Sequence, residues 1–346
     1  MHDALEGVRV VDLSVNAPGP YATRMLADLG AEVTRIVNPA QTAPDYAGAA
    51  EDPLLSARGG PGDALSRGKA VRALDLKDAA GRAALLAMLA EADVLVSEMR
   101  PGKLEALGLG WADLHPRFPR LVLCEITGYG RSGPLAGRAG HDINYLALSG
   151  ALSLIRDREG RPVPPQNLVA DYAAGGGFGL SGILAALLRR ERTGQGSHLN
   201  VSMAHGIRTL MTDIAAHTVH SGHPEESWRG TLGGGMPTYG VYETADGGWM
   251  AVGALEPKFI AVLAEALDWP ELPALVAAKA TWGQARAGLE ARFATRSRDD
   301  WWALFAPLDA CVTPVLTLDE LQGAGLPDLA EAIGATAPLP TGPAET

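Results

Sequence analysis

The sequence is poor in cysteine and in aromatic residues. Its 346 residues include two cysteines, Cys124 and Cys311, and aromatic residues make up 5% of the chain. Two thiols so far apart in the sequence form neither a disulfide framework nor the paired thiolates of a zinc site. We therefore expect a protein without a bound metal in a reducing compartment, with the cytoplasm as its location.

Positive charge is scarce as well. Lys and Arg number 29 against 40 Asp and Glu, so the formal net charge is −11 at pH 7. A chain of this charge is not attracted as a whole to nucleic acid or to an anionic membrane, and we expect neither as a partner. An anionic ligand must therefore meet a local group of cations.

Long hydrophobic runs are absent too. The most apolar stretch, residues 175–188, has 14 residues and is rich in glycine, whereas a membrane span needs about 20. This stretch predicts a buried helix. The N-terminal residues 1–7, MHDALEG, have neither the basic nor the apolar region of a secretory signal, and we expect none.

Strand and helix patterns alternate through the first part of the chain. Short β-branched or apolar runs predict strands at residues 8–13, 31–37, 71–76, 93–98, 120–126 and 198–203. Helical patterns lie between several of them, as at residues 21–29 and 79–92. This alternation predicts an α/β fold with an open, doubly wound, Rossmann-like parallel sheet.

The length of the chain predicts two domains. A hairpin pattern at residues 239–254 marks a second, smaller α+β domain. The predicted boundaries are a large domain at 1–200, a linker helix region at 201–230, the small domain at 231–308 and a segment returning to the large domain at 309–346.

No generic catalytic motif is present. The sequence contains no GxxxxGK[ST], HExxH or GxSxG. Ionisable residues in conspicuous places are His141 and Asp142 in GHDINY, Asp171 in NLVADY and Glu256 in ALEPKF. Each also fits a structural role, because all four stand where predicted helices begin and caps are common there. The residues alone leave both interpretations open.

Taken in order along the chain, several stretches resemble the family III CoA-transferases, and the resemblance covers nearly the whole sequence. It is carried by VRVVDLS and APGPYATRMLADLGAEVTRI, LDLK, DVLVSEMRPG, ITGYGRSGP, GHDINY, NLVADYAAGG, YETADGGWMAVGALEPKF and DACVTPVL. Within the family, GHDINY and the glutamate of GALEPKF are similar to the α-methylacyl-CoA racemase branch. The resemblance implies an isomerase that racemises or epimerises acyl-CoA in fatty acid metabolism.

Racemisation at the carbon next to a thioester needs one base on each face of that carbon. The resemblance implies that His141 and Asp171 are these two groups and share one proton. It further implies that Glu256 bonds the other nitrogen of His141 and that the backbone N–H of Asp142 supports the thioester oxygen. No cofactor is expected, since coenzyme A is part of the substrate.

The phosphates of coenzyme A require cations. Candidate binding residues that the resemblance implies are Arg35, Arg67, Lys69, Arg72 and Arg100, with Tyr145 lining the thioester pocket. Arg72 equally fits a solvated surface charge, and Tyr145 a core residue. The family's Asn-Arg-Asn-Lys loop is here Ser-Arg-Gly-Lys at residues 66–69, a departure in the region expected to contact the nucleotide.

Two other functions stay open. The first is a CoA-transferase in which Asp171 is the nucleophile, and glycines 233–235 resemble the loop that covers the acyl intermediate of such enzymes. The second is a CoA-binding protein without turnover. The resemblance also implies an interlocked homodimer in which Glu256 reaches the site of the partner chain.

Overall fold

The computed structural model describes residues 1–40, 63–221, 230–321 and 328–334. These fall into two units. The described residues of unit 1 are 1–40, 63–152, 163–212 and 328–334. Those of unit 2 are 153–162, 213–221 and 230–321. Most of the unpatterned stretch between strands 2 and 3 and the last twelve residues lie outside the described residues.

Unit 1 is built on a six-stranded parallel sheet. Its strands are β1 Arg9–Asp12, β2 Glu32–Val37, β3 Lys69–Ala73, β4 Val94–Ser97, β5 Val122–Thr127 and β6 Ser197–Ser202. Their order across the sheet is β3-β2-β1-β4-β5-β6, and every neighbouring pair is parallel. The order reverses between β1 and β4, as in other doubly wound folds. The predicted fold class is therefore confirmed.

Helices cover both faces of this sheet, and within unit 2 other helices pack against the small sheet. They are α1 Pro18–Asp28, α2 Ala79–Leu89, α3 Lys103–Ala106, α4 Trp111–Leu114, α5 Asp142–Ser149, a π-helix at Leu168–Gly177, α6 Phe178–Thr193, α7 Met203–Leu210, α8 Thr212–Ser221, α9 Pro257–Ala266, α10 Leu272–Val276, α11 Trp282–Phe293, α12 Arg298–Phe305 and α13 Leu329–Ile333. Single 3₁₀ turns lie at Ala64–Ser66, Ala151–Ser153, Thr231–Gly233, Lys279–Thr281 and Asp319–Leu321.

Alternating burial explains the two helix layers of unit 1. Val94 and Val96 on β4 pack into one core, which includes Leu26 of α1 and Ile183 of α6. Leu95, between the two valines, packs into a second core on the opposite face. Successive strand side chains point to opposite faces, so a strand apolar at every position predicts helices on both sides.

One continuous helix runs from residue 168 to residue 193, because the π-helix passes directly into α6. It has 26 residues and, judged by length and composition only, is long and apolar enough to cross a membrane. The helix is longer than the 14-residue apolar stretch at residues 175–188, because it begins before the glycines that open that stretch. One face of the helix packs against α1, β5 and β6.

Unit 2 contains a small antiparallel sheet, β7 Tyr239–Glu243, β8 Trp249–Gly253 and β9 Val312–Pro314, in the order β7-β8-β9. The first two strands form the predicted hairpin. The third differs from the prediction, which assigned residues 309–346 to the large domain. Met250 to Val252 of β8 pair with residues 312–314, so these backbone groups are satisfied in the small sheet, and among the described residues after them 328–334 belong to unit 1.

Candidate active site

A cavity of about 960 Å³ opens in unit 1 at the carboxyl ends of β1, β4 and β5. Its walls come from the turns after these strands, residues 16–18, 98–101 and 126–129, from residues 138–145 around the start of α5, and from residues 164–167 with Asp171. In doubly wound sheets ligands bind at this edge, beside the point where the strand order reverses. The volume suits a small organic ligand.

His141 lies exposed on the cavity wall at the N-cap position of α5. Its backbone N–H donates to Oδ1 of Asn144 at 3.0 Å, and its carbonyl accepts the N–H of Asn144 at 2.8 Å. The side chain of Asn144 therefore caps the backbone N–H of His141, and the carbonyl of His141 accepts the first hydrogen bond of the helix. His141 lines the same cavity as Asp171.

Asp142 is buried, and its carboxylate caps the helix that carries Asp171. Its Oδ2 accepts the backbone N–H of Ala170 at 2.8 Å and that of Asp171 at 2.9 Å. Both N–H groups lie in the first turn of the π-helix, where no earlier helical carbonyl is available. Burial raises the pKa of Asp142, while the two N–H donors oppose that rise. This side-chain role was not predicted, since the sequence reading used only the backbone N–H of Asp142.

Asp171 does not occupy the N-cap position, which was the structural alternative for it. The N-cap of the π-helix is Asn167, and the side-chain amide of Asn167 donates to Oδ2 of Asp171 at 3.1 Å. Asp171 is half-buried and lines the cavity. Its backbone is fixed by Asp142 and one carboxylate oxygen by Asn167, which gives the side chain a defined orientation.

Tyr145 shapes the turn before α5. Its ring is buried, lines the cavity and makes an edge contact with Tyr129, with 5.0 Å between the ring centroids. The hydroxyl of Tyr145 donates to the carbonyl of Gly140, and burial raises the pKa of the phenol. A Cβ at Gly128 would stand 2.6 Å from that hydroxyl oxygen. Glycine at position 128 is therefore required for the ring to lie where it does.

Two of the predicted phosphate-binding cations are internal. The ammonium of Lys69 is fully buried, 3.1 Å from Oδ2 of Asp12 and 2.6 Å from Oγ1 of Thr23. Burial lowers the pKa of Lys69 despite the nearby carboxylate. Arg35 is buried as well and pairs with Asp63 at 3.1 Å. Both side chains tie strands to neighbouring segments, and neither lines the cavity.

The other three predicted cations are exposed at different places. Arg100 lines the cavity. Arg67 stands outside it with its guanidinium 3.5 Å from Asp28. Arg72 lines a separate cavity of about 380 Å³ between α2 and the strands β1, β2 and β3. Arg138, which the sequence reading did not single out, is a second exposed cation on the wall of the main cavity.

Glu256 belongs to unit 2, where it is exposed at the N-cap position of α9, directly before Pro257. Of the other predicted site residues, five line one cavity in the described part of unit 1: Arg100, His141, Asp142, Tyr145 and Asp171.

Glu98 is the acidic residue of the cavity that sequence reasoning missed. Its carboxylate accepts the backbone N–H groups of Val15, Asn16 and Gly19. Burial raises the pKa of Glu98 to about 7, although the three N–H donors act against that rise. A carboxylate directly after a strand of a parallel sheet was the available signal, and it stands inside the stretch DVLVSEMRPG.

The cavity combines groups that suit proton transfer next to a carbonyl. His141 and Asp171 line it together, and the amino-terminal residues of α5, Asp142 and Ile143, line the same space. The first backbone N–H groups of a helix stabilise negative charge on an oxygen. Among the described residues, no three His, Cys, Asp or Glu side chains are grouped so that they could hold a metal ion.

Comparisons with known proteins agree with this architecture. The family model of CoA-transferase family III matches residues 5–329. The α-methylacyl-CoA racemase of Mus musculus is 40% identical over 318 residues, which cover 91% of this chain and 78% of the racemase. The succinyl-CoA:glutarate CoA-transferase of the same species is 34% identical over 274 residues, covering 78% of this chain and 60% of the transferase.

A solved structure has the same fold. The crystal structure of a CAIB/BAIF family protein from Brucella suis aligns with a TM-score of 0.77 and 25% identity, over 93% of this chain and 86% of that protein.

Proposed function

The chain belongs to CoA-transferase family III, and on that premise we propose that it racemises 2-methylacyl-CoA thioesters by transferring one proton between the two faces of the α-carbon. The match to the family model confirms the family that the sequence predicted. The observation that carries the proposed reaction is that His141 and Asp171 line one cavity at the switch point of the sheet. Similarity to the mouse racemase over most of both chains supports it.

The two groups work as a pair that holds one proton. In one form His141 is neutral beside a protonated Asp171, and His141 removes the α-proton while Asp171 delivers its own to the opposite face. In the other form Asp171 is ionised beside the imidazolium of His141, and the roles reverse. Each form accepts one enantiomer. The proton count is unchanged over the reaction, so no oxidant or second substrate is consumed.

The negative charge that develops on the thioester oxygen needs donors. The N–H groups of Asp142 and Ile143 are the first two of α5, where no carbonyl one turn earlier can accept them. Together with the helix dipole they suit an enolate oxygen placed beside His141. Such fixed donors typically contribute a few kcal/mol to the transition state.

We assign the phosphates of coenzyme A to exposed cations at the mouth of the cavity. Arg100 and Arg138 line it, and an arginine can bind a phosphate through two parallel hydrogen bonds. Arg67 is exposed and is retained as a further candidate. The proposal needs no separate cofactor, because the thioester carbonyl itself acidifies the α-proton. The expected location is the cytoplasm, and the expected pathway is fatty acid metabolism.

We further propose a homodimer in which Glu256 of one chain orients His141 of the other. A carboxylate that accepts from the second ring nitrogen fixes the tautomer and the orientation of a histidine. Glu256 is exposed on unit 2, so its carboxylate is accessible to a partner.

CoA transfer is the second candidate, and the similarity to the mouse succinyl-CoA:glutarate CoA-transferase favours it. In that reaction the carboxylate of Asp171 attacks the carbonyl of an acyl-CoA to form an anhydride, and CoA leaves as its thiolate. The thiolate then attacks the aspartyl carbonyl, so the acyl group departs as a free carboxylate and the enzyme holds CoA as a thioester until an acceptor carboxylate takes it up by the reverse steps. His141 distinguishes the two candidates, because this sequence of steps requires no second base.

One experiment separates the candidates. The chain is incubated with a single enantiomer of a 2-methylacyl-CoA in deuterated water, and deuterium at the α-carbon and optical purity are followed together. Racemisation requires gain of deuterium with loss of optical purity. Transfer of CoA to an added carboxylate, with a hydroxylamine-sensitive covalent enzyme and no deuterium gain, identifies a transferase. Bound acyl-CoA with neither change identifies a binding protein.

A further inference from the structure

Glu98 joins the two strands between which the order of the sheet reverses. It follows β4 directly, whereas the N–H groups that it accepts lie in the turn after β1 and at the start of α1. The distances are 3.0 Å from Oε2 to Val15 N, 2.8 Å from Oε2 to Asn16 N and 2.6 Å from Oε1 to Gly19 N. Both carboxylate oxygens are used.

The local sequence makes this contact specific. Pro18 and Pro20 on either side of Gly19 have no N–H, so Gly19 supplies the donor at this point of the first helical turn. A Cβ at Gly19 would stand 3.0 Å from Cδ of Glu98 and closer still to Ser14. The glycine therefore permits the approach of the carboxylate. The two prolines leave Gly19 as the one backbone N–H donor among residues 18–20.

The two segments that Glu98 connects form adjoining walls of the cavity. Asn16, Ala17 and Pro18 line it from the β1 side, and Met99 and Arg100 line it from the β4 side. The amino-terminal end of α1 is the position where doubly wound folds often bind a phosphate. Here the chain's own carboxylate occupies it, so an anionic group is repelled and the uncharged part of a ligand is favoured at this wall.

From these contacts we infer that Glu98 is a positioning residue, which holds residues 15–19 as a fixed wall of the cavity and so keeps the ligand in register with His141 and Asp171. The inference rests on the proposed function in one respect, which is the reaction for which the ligand is held in register. The wall itself, and binding of coenzyme A against it, are independent of whether a proton is transferred.

The electrostatic surroundings make the contact sensitive to pH. Asp12 on β1 acts on Glu98 as a like charge. Glu98 and Arg100 both act on the phenol of Tyr145 on α5, with opposite signs. Burial holds the pKa of Glu98 at about 7, so the carboxylate gains a proton near neutrality. A protonated carboxyl is a weaker acceptor than a carboxylate for three N–H groups.

The test compares Glu98→Gln, Glu98→Asp and wild type in the full-length chain. Backbone hydrogen exchange at residues 15, 16 and 19 is followed by mass spectrometry or NMR, and coenzyme A alone is titrated by calorimetry. We expect exchange at these amides to rise at least about tenfold in Glu98→Gln, with a weaker affinity for coenzyme A and a partial recovery in Glu98→Asp. Glu91→Gln is the matched control, since Glu91 is exposed, pairs with Arg9 and does not line this cavity.

The pH dependence of amide exchange distinguishes a positioning role of Glu98 from a general contribution to the stability of the chain. When residues 15–19 open locally while Glu98 stays buried, the three hydrogen bonds are lost without the hydration of the carboxyl that accompanies global unfolding. For this local opening, protection of the amides in wild type should fall as the pH is lowered from 8 to 6, whereas in Glu98→Gln it should not change over that range. Wild-type exchange and affinity in Glu98→Gln, or a wild-type profile that is flat, overturn the inference. Racemisation by wild type is measured separately, so its absence refutes the proposed function while amide exchange and affinity still decide the role of Glu98.

Discussion

The carboxylate of Asp142 accepts the backbone N–H of Asp171 at 2.9 Å. Asp142 directly follows His141, whose imidazole lines the same cavity as Asp171. One buried side chain therefore couples the helix that presents the histidine to the helix that presents the aspartate. Proton transfer between two faces of one carbon depends on the separation of the two groups, so this coupling bears directly on catalysis.

Asp142→Ala is expected to lower both stability and racemisation. Two N–H groups of the π-helix lose their acceptor, and loss of a helix cap costs about 0.5 to 2 kcal/mol. Small displacements of a reacting group lower rates further, and we expect a loss of at least about tenfold. Thermal unfolding and the rate of deuterium gain measure the two effects.

The matched control is Asp328→Ala, because the carboxylate of Asp328 caps α13 by accepting the N–H of Glu331 at 2.9 Å. This variant should lose stability and retain the wild-type rate. Equal rates in Asp142→Ala and Asp328→Ala would show that the cap at Asp142 does not position Asp171 for the reaction.

His141→Ala and Asp171→Ala should each lower racemisation by at least about a hundredfold, the usual contribution of a positioned acid or base. Each variant keeps one base, so exchange of the α-proton should survive for one enantiomer and disappear for the other, with opposite preferences. His217→Ala, on an exposed face of α8, is the control and should be fully active. Near wild-type rates in both site variants would leave these residues a structural role only.

The fold was predictable because the central strands of its parallel sheet carry apolar residues on both faces. Val94, Leu95 and Val96 require a helix layer on each side, and this requirement is visible in the sequence. The positions of His141 and Asp171 were predictable from the stretches around them. That they line one cavity follows from three-dimensional packing, because 29 residues separate Asp142 from the N–H of Asp171 that it binds.

Other features were hidden for physical reasons. A lysine two residues after an arginine at the end of a predicted loop indicates an exposed cation, and nothing local shows that Asp12, Thr23 and a backbone carbonyl enclose Lys69. Glu98 was hidden in the same way, since its partners are backbone N–H groups some 80 residues earlier. Backbone partners leave no side-chain pattern to find.

Gly128→Ala is expected to abolish most of the activity. The added Cβ would stand 2.6 Å from the hydroxyl oxygen of Tyr145, so the ring must move, and with it the turn before α5 that carries His141. Racemisation and thermal unfolding report the effect. Gly137→Ala is the control in the same loop, because a Cβ there meets nothing within 4 Å. If the two variants behave alike, the ring of Tyr145 does not constrain the site.

Glu98 should give stability a specific pH dependence. Its pKa is raised to about 7 in the folded chain from 4.5, so the folded state holds this proton more tightly than the unfolded state. The resulting stabilisation is fully present below about pH 4.5 and is lost as the pH rises through 7. The melting temperature of wild type relative to Glu98→Gln should therefore fall between pH 4.5 and 7.5. A difference that is constant over this range would contradict the raised pKa.

The final prediction concerns Glu256 and the proposed homodimer. His141 lies in unit 1 and Glu256 in unit 2, and in a symmetric dimer each site would draw one residue from each chain. His141→Ala and Glu256→Ala chains, each nearly inactive alone, are co-expressed. In a mixed dimer one site then collects both defects and the other collects none. Random assembly makes about half of the dimers mixed, each with one intact site of two, so activity should return to roughly a quarter of wild type. A monomer in light scattering, or a co-expressed pair no more active than the single variants, would show that Glu256 does not act across an interface.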